Sequence, residues 1–382
     1  KKISYGKQVI EKDDIESVIS VLKSDFLTQG PKVPEFEKIV CDYTKAKFAV
    51  AMNSATSALH GACIALGVEK DDIVWTTANS FVASANCALY CGAIVDFVDI
   101  SPEDYNISIE KLREKLVIAS KNKKLPKVLI PVHFGGKSCH MKEIFELSKQ
   151  YDFKIIEDAS HAIGAEYESS KVGSCAYSDI TIFSFHPVKI ITTGEGGMAL
   201  TNDANLAKKM SLFRTHGITR DEEDFTVQNK PCHYEQITLG YNYRMTDISA
   251  ALGISQFSKV DKFVKIRRDI AKIYDDAFTK LGIPFQKQSK NMKSAYHLYV
   301  IEHEKRDKLI SYLHEKNIMV NFHYIPIYLH PYYMKNLGFQ KGYCKFAEAY
   351  YSRGITIPLH AALTEEEVNY IISHINLFIS KC

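Results

Sequence analysis

The sequence predicts an α/β protein: a mostly parallel sheet covered by helices, followed by a smaller α/β unit. Three observations carry this. Short apolar, β-branched runs alternate with helix-patterned segments between residues 48 and 201. Helical periodicity takes over after about Thr246. The segments rich in polar residues and glycine directly follow the apolar runs, at the strand ends where such sheets bind ligands.

Expected strands cover residues 48–52, 73–77, 94–98, 128–132, 153–157, 179–183 and 197–201, with helices between most of them, among them 54–66, 108–119 and 141–151. Beyond residue 246 the pattern predicts one long Lys/Arg-rich helix over 247–281. A strand at 297–301, a helix at 307–316 and a terminal helix at 364–378 follow. The chain therefore divides into a large unit, 1–245, with an N-terminal arm, and a connecting helix with a small unit, 246–382.

The 382 residues carry a net charge of +3 with no basic stripe, which argues against nucleic acid or an anionic membrane as partner. The most apolar stretch, residues 81–98, contains Ser84, Asn86 and Asp96 and is no membrane span. The opening "KKISYGKQVIEKDD" has no apolar core, so no signal peptide and a cytoplasmic location are expected. Nine cysteines without a CxxC pair read as buried thiols of a reducing compartment, and no metal site is expected, Cys87 and Cys91 included.

Two glycine-rich stretches are decoys. "HFGGKS" (133–138) has Pro131 where a phosphate-binding loop needs its first glycine. "GEGG" (194–197) lacks dinucleotide-binding spacing and precedes a strand. No GxSxG or HExxH motif occurs.

Three post-strand segments remain. In "NSATSALHGA" (53–62), Ser54 can cap a helix whose first N–H groups, flanked by small residues, suit a phosphate. In "IIEDASHA" (155–162), Asp158 falls at the carboxyl edge of the sheet, where a carboxylate can pair with a protonated pyridine nitrogen; His161 lies nearby. In "SFHPVKIITTGEGG" (184–197), Lys189 exits a buried run between Pro187, a β-branched run and three glycines. A lysine amine held in a protein pocket beside an aldehyde forms a Schiff base. Taken singly, each segment also reads as a helix cap, a structural carboxylate with a core histidine, and a surface lysine.

Together with "LTQGPKVPEFE" (27–37), "GYNYRMTDISAALG" (240–253) and "HYIPIY" (323–328), these segments resemble the DegT family of nucleotide-sugar aminotransferases, in order and over nearly the whole chain. The resemblance implies the aspartate-aminotransferase type of fold, fold type I, with pyridoxal 5′-phosphate (PLP, alternating with PMP) as cofactor. Lys189 would carry the cofactor and Asp158 would pair with its ring nitrogen. Phe81 would stack on the ring, and His161 would contact it. Ser54, Ala55, Thr56 and Ser184 would hold the phosphate. Asn242 would reach the phosphate of a neighbouring subunit's cofactor, so a homodimer with shared sites is implied. Tyr5, Asp25, Phe26, Leu27, Thr28, His323 and Tyr324 would contact the sugar; without the resemblance they read as an N-terminal arm and a core strand.

Relatives that replace the lysine with histidine act as dehydratases, so Lys189 favours transamination. Residues 24–37, 53–60, 131–139, 184–193 and 215–221 look most like the aminotransferases of pseudaminic acid biosynthesis. That likeness implies L-glutamate as donor and UDP-2-acetamido-2,6-dideoxy-β-L-arabino-hex-4-ulose as acceptor. "NSFVAS" lacks a commoner proline and "TTGEGG" carries Gly194 where alanine is frequent. Amination of another nucleotide-linked sugar, such as GDP-4-keto-6-deoxymannose, is the alternative within the family. A non-catalytic role for the fold is the alternative outside it, and loss of Lys189 or Asp158 would be its mark.

Overall fold

The computed structural model describes residues 2–226 and 232–381. Seven strands form the main sheet: β1 (Phe48–Met52), β2 (Ile73–Thr77), β3 (Ile94–Val98), β4 (Val128–Ile130), β5 (Lys154–Asp158), β6 (Ile180–Ser184) and β7 (Gly197–Thr201). Their order is β1-β7-β6-β5-β4-β2-β3. β7 runs antiparallel to both its neighbours, and the remaining pairs are parallel. The expected strands fall within a residue or two of these limits.

Side chains alternate across a strand, which gives the sheet two apolar faces. Ile130, Ile156 and Ile182 pack on one side with Ala58, Leu59, Ala85 and Cys87. Leu129 and Ile155 face the other, against Leu112, Leu116, Ile144 and Leu147. Phe183 and Leu200 join that second side through Phe36 and Val40. The covering helices are α1 (Lys12–Leu22), α2 (Lys32–Thr44), α3 (Ala55–Ala65), α4 (Ala83–Tyr90), α5 (Ile109–Lys121), α6 (Met141–Tyr151) and α7 (Ala204–Phe213).

The expected single helix over 247–281 is two, α8 (Asp247–Phe257) and α9 (Val260–Leu281). The break falls at Ser258–Lys259. There the Lys259 ammonium meets Asp13 at 2.7 Å, Asp14 at 2.9 Å and Glu11 at 3.2 Å, all at the start of α1. Asp14 is fully buried, and a buried carboxylate needs such partners. The bend is thus fixed by residues far away in the chain.

After α9, β8 (Tyr299–Glu302) pairs antiparallel with β9 (Gly354–Ile357). They pack with α10 (Arg306–Glu315) and a C-terminal helix; α11 (Pro331–Leu337) and α12 (Lys345–Arg353) precede that helix, α13 (Glu365–Ile379). Thr364 caps α13 reciprocally with Glu367, a capping box. Ile3 belongs to this second core, and its main chain bonds to Asn317 and Met319. The N-terminal arm therefore crosses to the smaller unit, and Tyr5 is held there by a bond from the Leu359 N–H.

Eight cysteines lie among the described residues and all are free thiols. Cys232 is exposed, and Cys41 and Cys91 are partly so, which corrects the expectation of uniformly buried thiols. No helix among the described residues is long and apolar enough to cross a membrane. No cluster of three or more His, Cys, Asp or Glu among them is placed to hold a metal ion.

Candidate active site

The carboxyl edge of the main sheet opens into a cleft of about 850 Å³. One end is made mostly by backbone. Ser54 caps α3, its hydroxyl accepting from the Ser57 N–H at 3.1 Å, and Ser57 in turn bonds Asn53 at 2.6 Å. The helix begins at Ala55 and its first internal bond runs from the Ala58 N–H to the Ser54 carbonyl, so the N–H groups of Ala55 and Thr56, residues that line the cleft, have no acceptor within the helix. Strand β7 runs hard against this turn. A Cβ on Gly197 would stand 2.3 Å from the Ala55 nitrogen and 2.4 Å from the Ser54 carbonyl carbon, so only glycine fits. Ser184, the last residue of β6, lines the same end. The result is an anion cradle at a helix N-terminus.

The other end is made by side chains. Asp158 ends β5 with 5% of its surface exposed. One carboxylate oxygen accepts from the Ser84 hydroxyl at 2.6 Å, the other from the Ser160 N–H at 3.1 Å. Beside it, the His161 Nδ1 accepts from the Gly135 N–H at 3.2 Å, and Nε2 lies 3.0 Å from the Tyr324 hydroxyl. Burial, then the charge of Lys189, pushes His161 well below the usual histidine range. The ring is therefore neutral, and with Nδ1 accepting, its proton sits on Nε2 and is donated to the Tyr324 oxygen. The Tyr324 proton is left free for another acceptor. Burial, then Asp158, raises the Tyr324 phenol, which stays protonated.

Lys189 enters between the two ends from the connection of β6 to β7. This loop is tied to itself. The Phe185 N–H donates to Gly196 and its carbonyl accepts from the Thr193 N–H and the Thr192 hydroxyl. The Lys189 N–H bonds the His186 carbonyl at 2.9 Å. Phe185, Ile190 and Ile191 are buried beneath it. Gly194 adopts φ +81° with nothing within 4 Å of its would-be Cβ, so its role is the turn itself. As a residue Lys189 is half-buried, but its amine sits deep in the cleft. Desolvation lowers it from the ordinary lysine value to about 8, against the raising pull of Asp158. A poised amine of this kind is a nucleophile and a base near neutral pH.

Of the expected site residues, Ser54, Ala55, Thr56, Phe81, Asp158 and His161 line this cleft, as do Ser184, Lys189, Tyr5, His323 and Tyr324. Phe81 is 59% exposed over the cavity, its ring centroid 6.3 Å from that of Tyr324. His323 bonds the Thr356 hydroxyl at 2.8 Å, and burial followed by Lys189 lowers it to about 3, so it too is neutral. Asp25, Phe26, Leu27, Thr28 and Asn242 do not line the cleft of their own chain. All five are exposed, and the two segments meet each other through a bridge between Thr28 and Thr246.

Several contributors were not singled out from the sequence. His297, buried and neutral, lies 4.4 Å from His161 ring to ring. Ser80 and Ser84 stand behind Asp158. Glu195, in the glycine turn 194–197, lines the cleft. Only the last had a sequence signal, its place in the glycine turn.

A model of the DegT/DnrJ/EryC1/StrS aminotransferase family matches residues 8–376. The chain belongs to this family. It is 40% identical over 375 residues to the UDP-4-amino-4,6-dideoxy-N-acetyl-beta-L-altrosamine transaminase of Campylobacter jejuni subsp. jejuni serotype O:23/36, covering 97% of this chain and 95% of that protein. It is 32% identical over 380 residues to the GDP-perosamine synthase of Caulobacter vibrioides, covering 97% of each. The structure superposes with TM-score 0.90 and 33% identity on Helicobacter pylori PseC, an aminotransferase involved in the biosynthesis of pseudoaminic acid, over the full length of both chains. The putative sugar aminotransferase Spr1654 of Streptococcus pneumoniae in its PLP form gives TM-score 0.90 at 30% identity, covering 100% of this chain and 99% of that one.

The protein is a PLP-dependent sugar aminotransferase of fold type I. The cleft fits that cofactor on its own terms. A helix N-terminus at Ser54–Thr56, lining the cleft and held by close packing on Gly197, suits a phosphate. A buried carboxylate at the opposite end suits a ring nitrogen, and a desolvated lysine amine enters between them.

Proposed function

We propose that this aminotransferase moves the amino group of L-glutamate to C4 of UDP-2-acetamido-2,6-dideoxy-β-L-arabino-hex-4-ulose, giving UDP-4-amino-4,6-dideoxy-N-acetyl-β-L-altrosamine. The observation that carries the reading is one cleft holding Lys189, Asp158 and the α3 N-terminus together. The choice of sugar is supported by the higher identity to the altrosamine transaminase than to the perosamine synthase.

In this reading residues 1–245 are the cofactor-binding unit and 246–382 supply part of the sugar contacts. PLP, when bound, supplies a carbonyl that condenses with amines and a ring that accepts electrons. The N–H groups of Ala55 and Thr56, with the Ser54 and Ser184 hydroxyls, hold its phosphate. Asp158 would pair with its ring nitrogen and Phe81 would cover its face. Lys189 would anchor the cofactor through Nζ, and the same atom, when its amine is free, would take a proton from the substrate carbon and return it. Its tied loop keeps that atom oriented through both duties. The neutral rings of His161 and His323 add no positive charge that would repel the ammonium or compete with it.

The exposed segments 25–28 and 242 would act in the cleft of a second copy. The apolar exposure of Phe26 (53%) and Leu27 (48%) supports a homodimer with shared sites.

The test is the absorption spectrum of the PLP-loaded protein, first with L-glutamate and then with the UDP-linked keto sugar. Loss of the bound-PLP band with glutamate and its return with that sugar support the full reading. Return only with GDP-4-keto-6-deoxymannose reassigns the acceptor. No band after PLP addition overturns the assignment of Lys189.

A further inference from the structure

We propose that Ser84, backed by Ser80, is a positioning residue that sets the carboxylate of Asp158 for the ring nitrogen of PLP; this rests on the reading of Asp158 given above. The Ser84 hydroxyl donates to one Asp158 oxygen at 2.6 Å. Ser80 and Ser84 hydroxyls lie 2.7 Å apart. Each hydroxyl has one proton, and that of Ser84 is given to Asp158. Ser80 is therefore the donor of the pair, and the bonds run in one direction, Ser80 to Ser84 to Asp158. Such chains polarise along their length, and a hydroxyl bonded to a carboxylate is among the stronger hydrogen bonds.

All three groups are shielded: Ser84 is 0% exposed, Ser80 2% and Asp158 5%. Water does not stand in for a lost hydroxyl there at no cost. The Ser160 N–H holds the other oxygen at 3.1 Å. With both oxygens anchored the carboxylate plane is fixed, and the lone pairs left over serve the cleft that Asp158 lines. The local chain explains the arrangement. Ser84 is the second residue of α4, and its N–H bonds the Phe81 carbonyl at 3.2 Å. One turn thus sends Phe81 out over the cavity and Ser80 and Ser84 inward to the carboxylate. The turn couples the group that covers the ring to the groups that set its nitrogen partner.

The experiment compares wild type with Ser84→Ala, Ser84→Thr, Ser80→Ala and Asp158→Asn. PLP affinity, the pH titration of the bound-PLP absorption band, kcat and KM for the sugar, and the melting temperature without PLP are measured for each. Ser84→Ala is expected to weaken PLP binding and lower kcat by about tenfold each, the scale of a hydrogen bond to a charged group. The titration of the band should shift and the sugar KM should stay put. Ser84→Thr keeps the hydroxyl and should recover most of the loss; Ser80→Ala should shift the titration in the same direction, by less.

A Ser84→Ala protein with an unchanged titration and unchanged PLP affinity overturns the proposal, whatever its melting temperature. If Ser84→Ala does not fold, the titration of Ser80→Ala decides in the same way. If Asp158→Asn itself leaves affinity and titration unchanged, the reading of Asp158 is what has failed. An altered Asp158→Asn beside an unaltered Ser84→Ala isolates the failure to Ser84.

Discussion

The two ends of the cleft are built on different principles. The end proposed for the phosphate is mostly main chain: a helix N-terminus, a cap and a strand pressed so close that residue 197 has no room for a side chain. The other end is mostly side chain: Ser84 bonds Asp158 at 2.6 Å and Tyr324 meets His161 at 3.0 Å, and each of the four can be replaced one at a time. The lesson is that binding and chemistry are separable here. Altering the first end should change only how tightly PLP is held, whereas altering the second should also change what it does once held.

The largest expected effect sits between the ends. Lys189→Ala should reduce turnover by at least about a thousandfold, as for removal of a covalent-catalysis residue. The same substitution should stabilise the PLP-free protein. Because burial lowers the amine to about 8, the unfolded chain binds more protons than the folded one between that value and the ordinary lysine value near 10.5. The ammonium therefore destabilises the fold fully below about pH 8, and the penalty fades as pH rises toward 10.5. Melting curves of the PLP-free variant and wild type should differ at pH 7 by about 3 kcal/mol in favour of the variant, and converge by pH 10.5. A variant no more stable than wild type at pH 7 would contradict the desolvated amine.

Gly197→Ala comes next. Its methyl would meet backbone rather than a yielding side chain, so stability should fall by about 3 kcal/mol and PLP affinity with it. Ser54→Ala should cost about 1 kcal/mol of stability through the lost cap, with weaker PLP binding and an unmoved spectrum. Should either variant shift the titration of the bound-PLP band while leaving affinity intact, the division between the ends is wrong. Tyr324→Phe should have the smallest effect. It removes the partner of the His161 Nε2 and is expected to lower kcat by about tenfold with PLP affinity retained, measured by equilibrium titration.

Most of the fold was legible because strand and helix periods are local. The cleft residues were legible for a related reason: Ser54, Asp158 and Lys189 each follow a strand, so sheet topology alone brings them to one edge. What escaped depends on distant partners. The break between α8 and α9 exists because Lys259 meets three carboxylates at the start of α1, more than 240 residues earlier. Ser84 sits in a small-residue helix and has no distinguishing pattern until Asp158 is placed beside it. "HFGGKS" reads as a decoy in the sequence, yet its glycines have a function of their own. A Cβ on Gly136 would stand 2.8 Å from the Tyr296 nitrogen, and the Gly135 N–H sets the His161 tautomer. Asp25–Thr28 lie outside the cleft of their own chain, which the sequence could not distinguish from lying in it; Asn242, which the resemblance assigns to a neighbouring subunit's cofactor, also lies outside it.

The loop that bears Lys189 is also a hairpin connection between β6 and β7, which lie inside the seven-stranded sheet rather than on its rim. Surface loops usually open on their own, long before the domain does. This one is closed by main-chain bonds at Phe185, directly beyond a register that pairs Ser184 with Gly197. Freeing it means prising apart the sheet's interior. The amide protons of Phe185 and Thr193 should thus exchange with solvent only as slowly as those of the strands themselves. The lysine then has the lifetime of the whole domain, not of a loop.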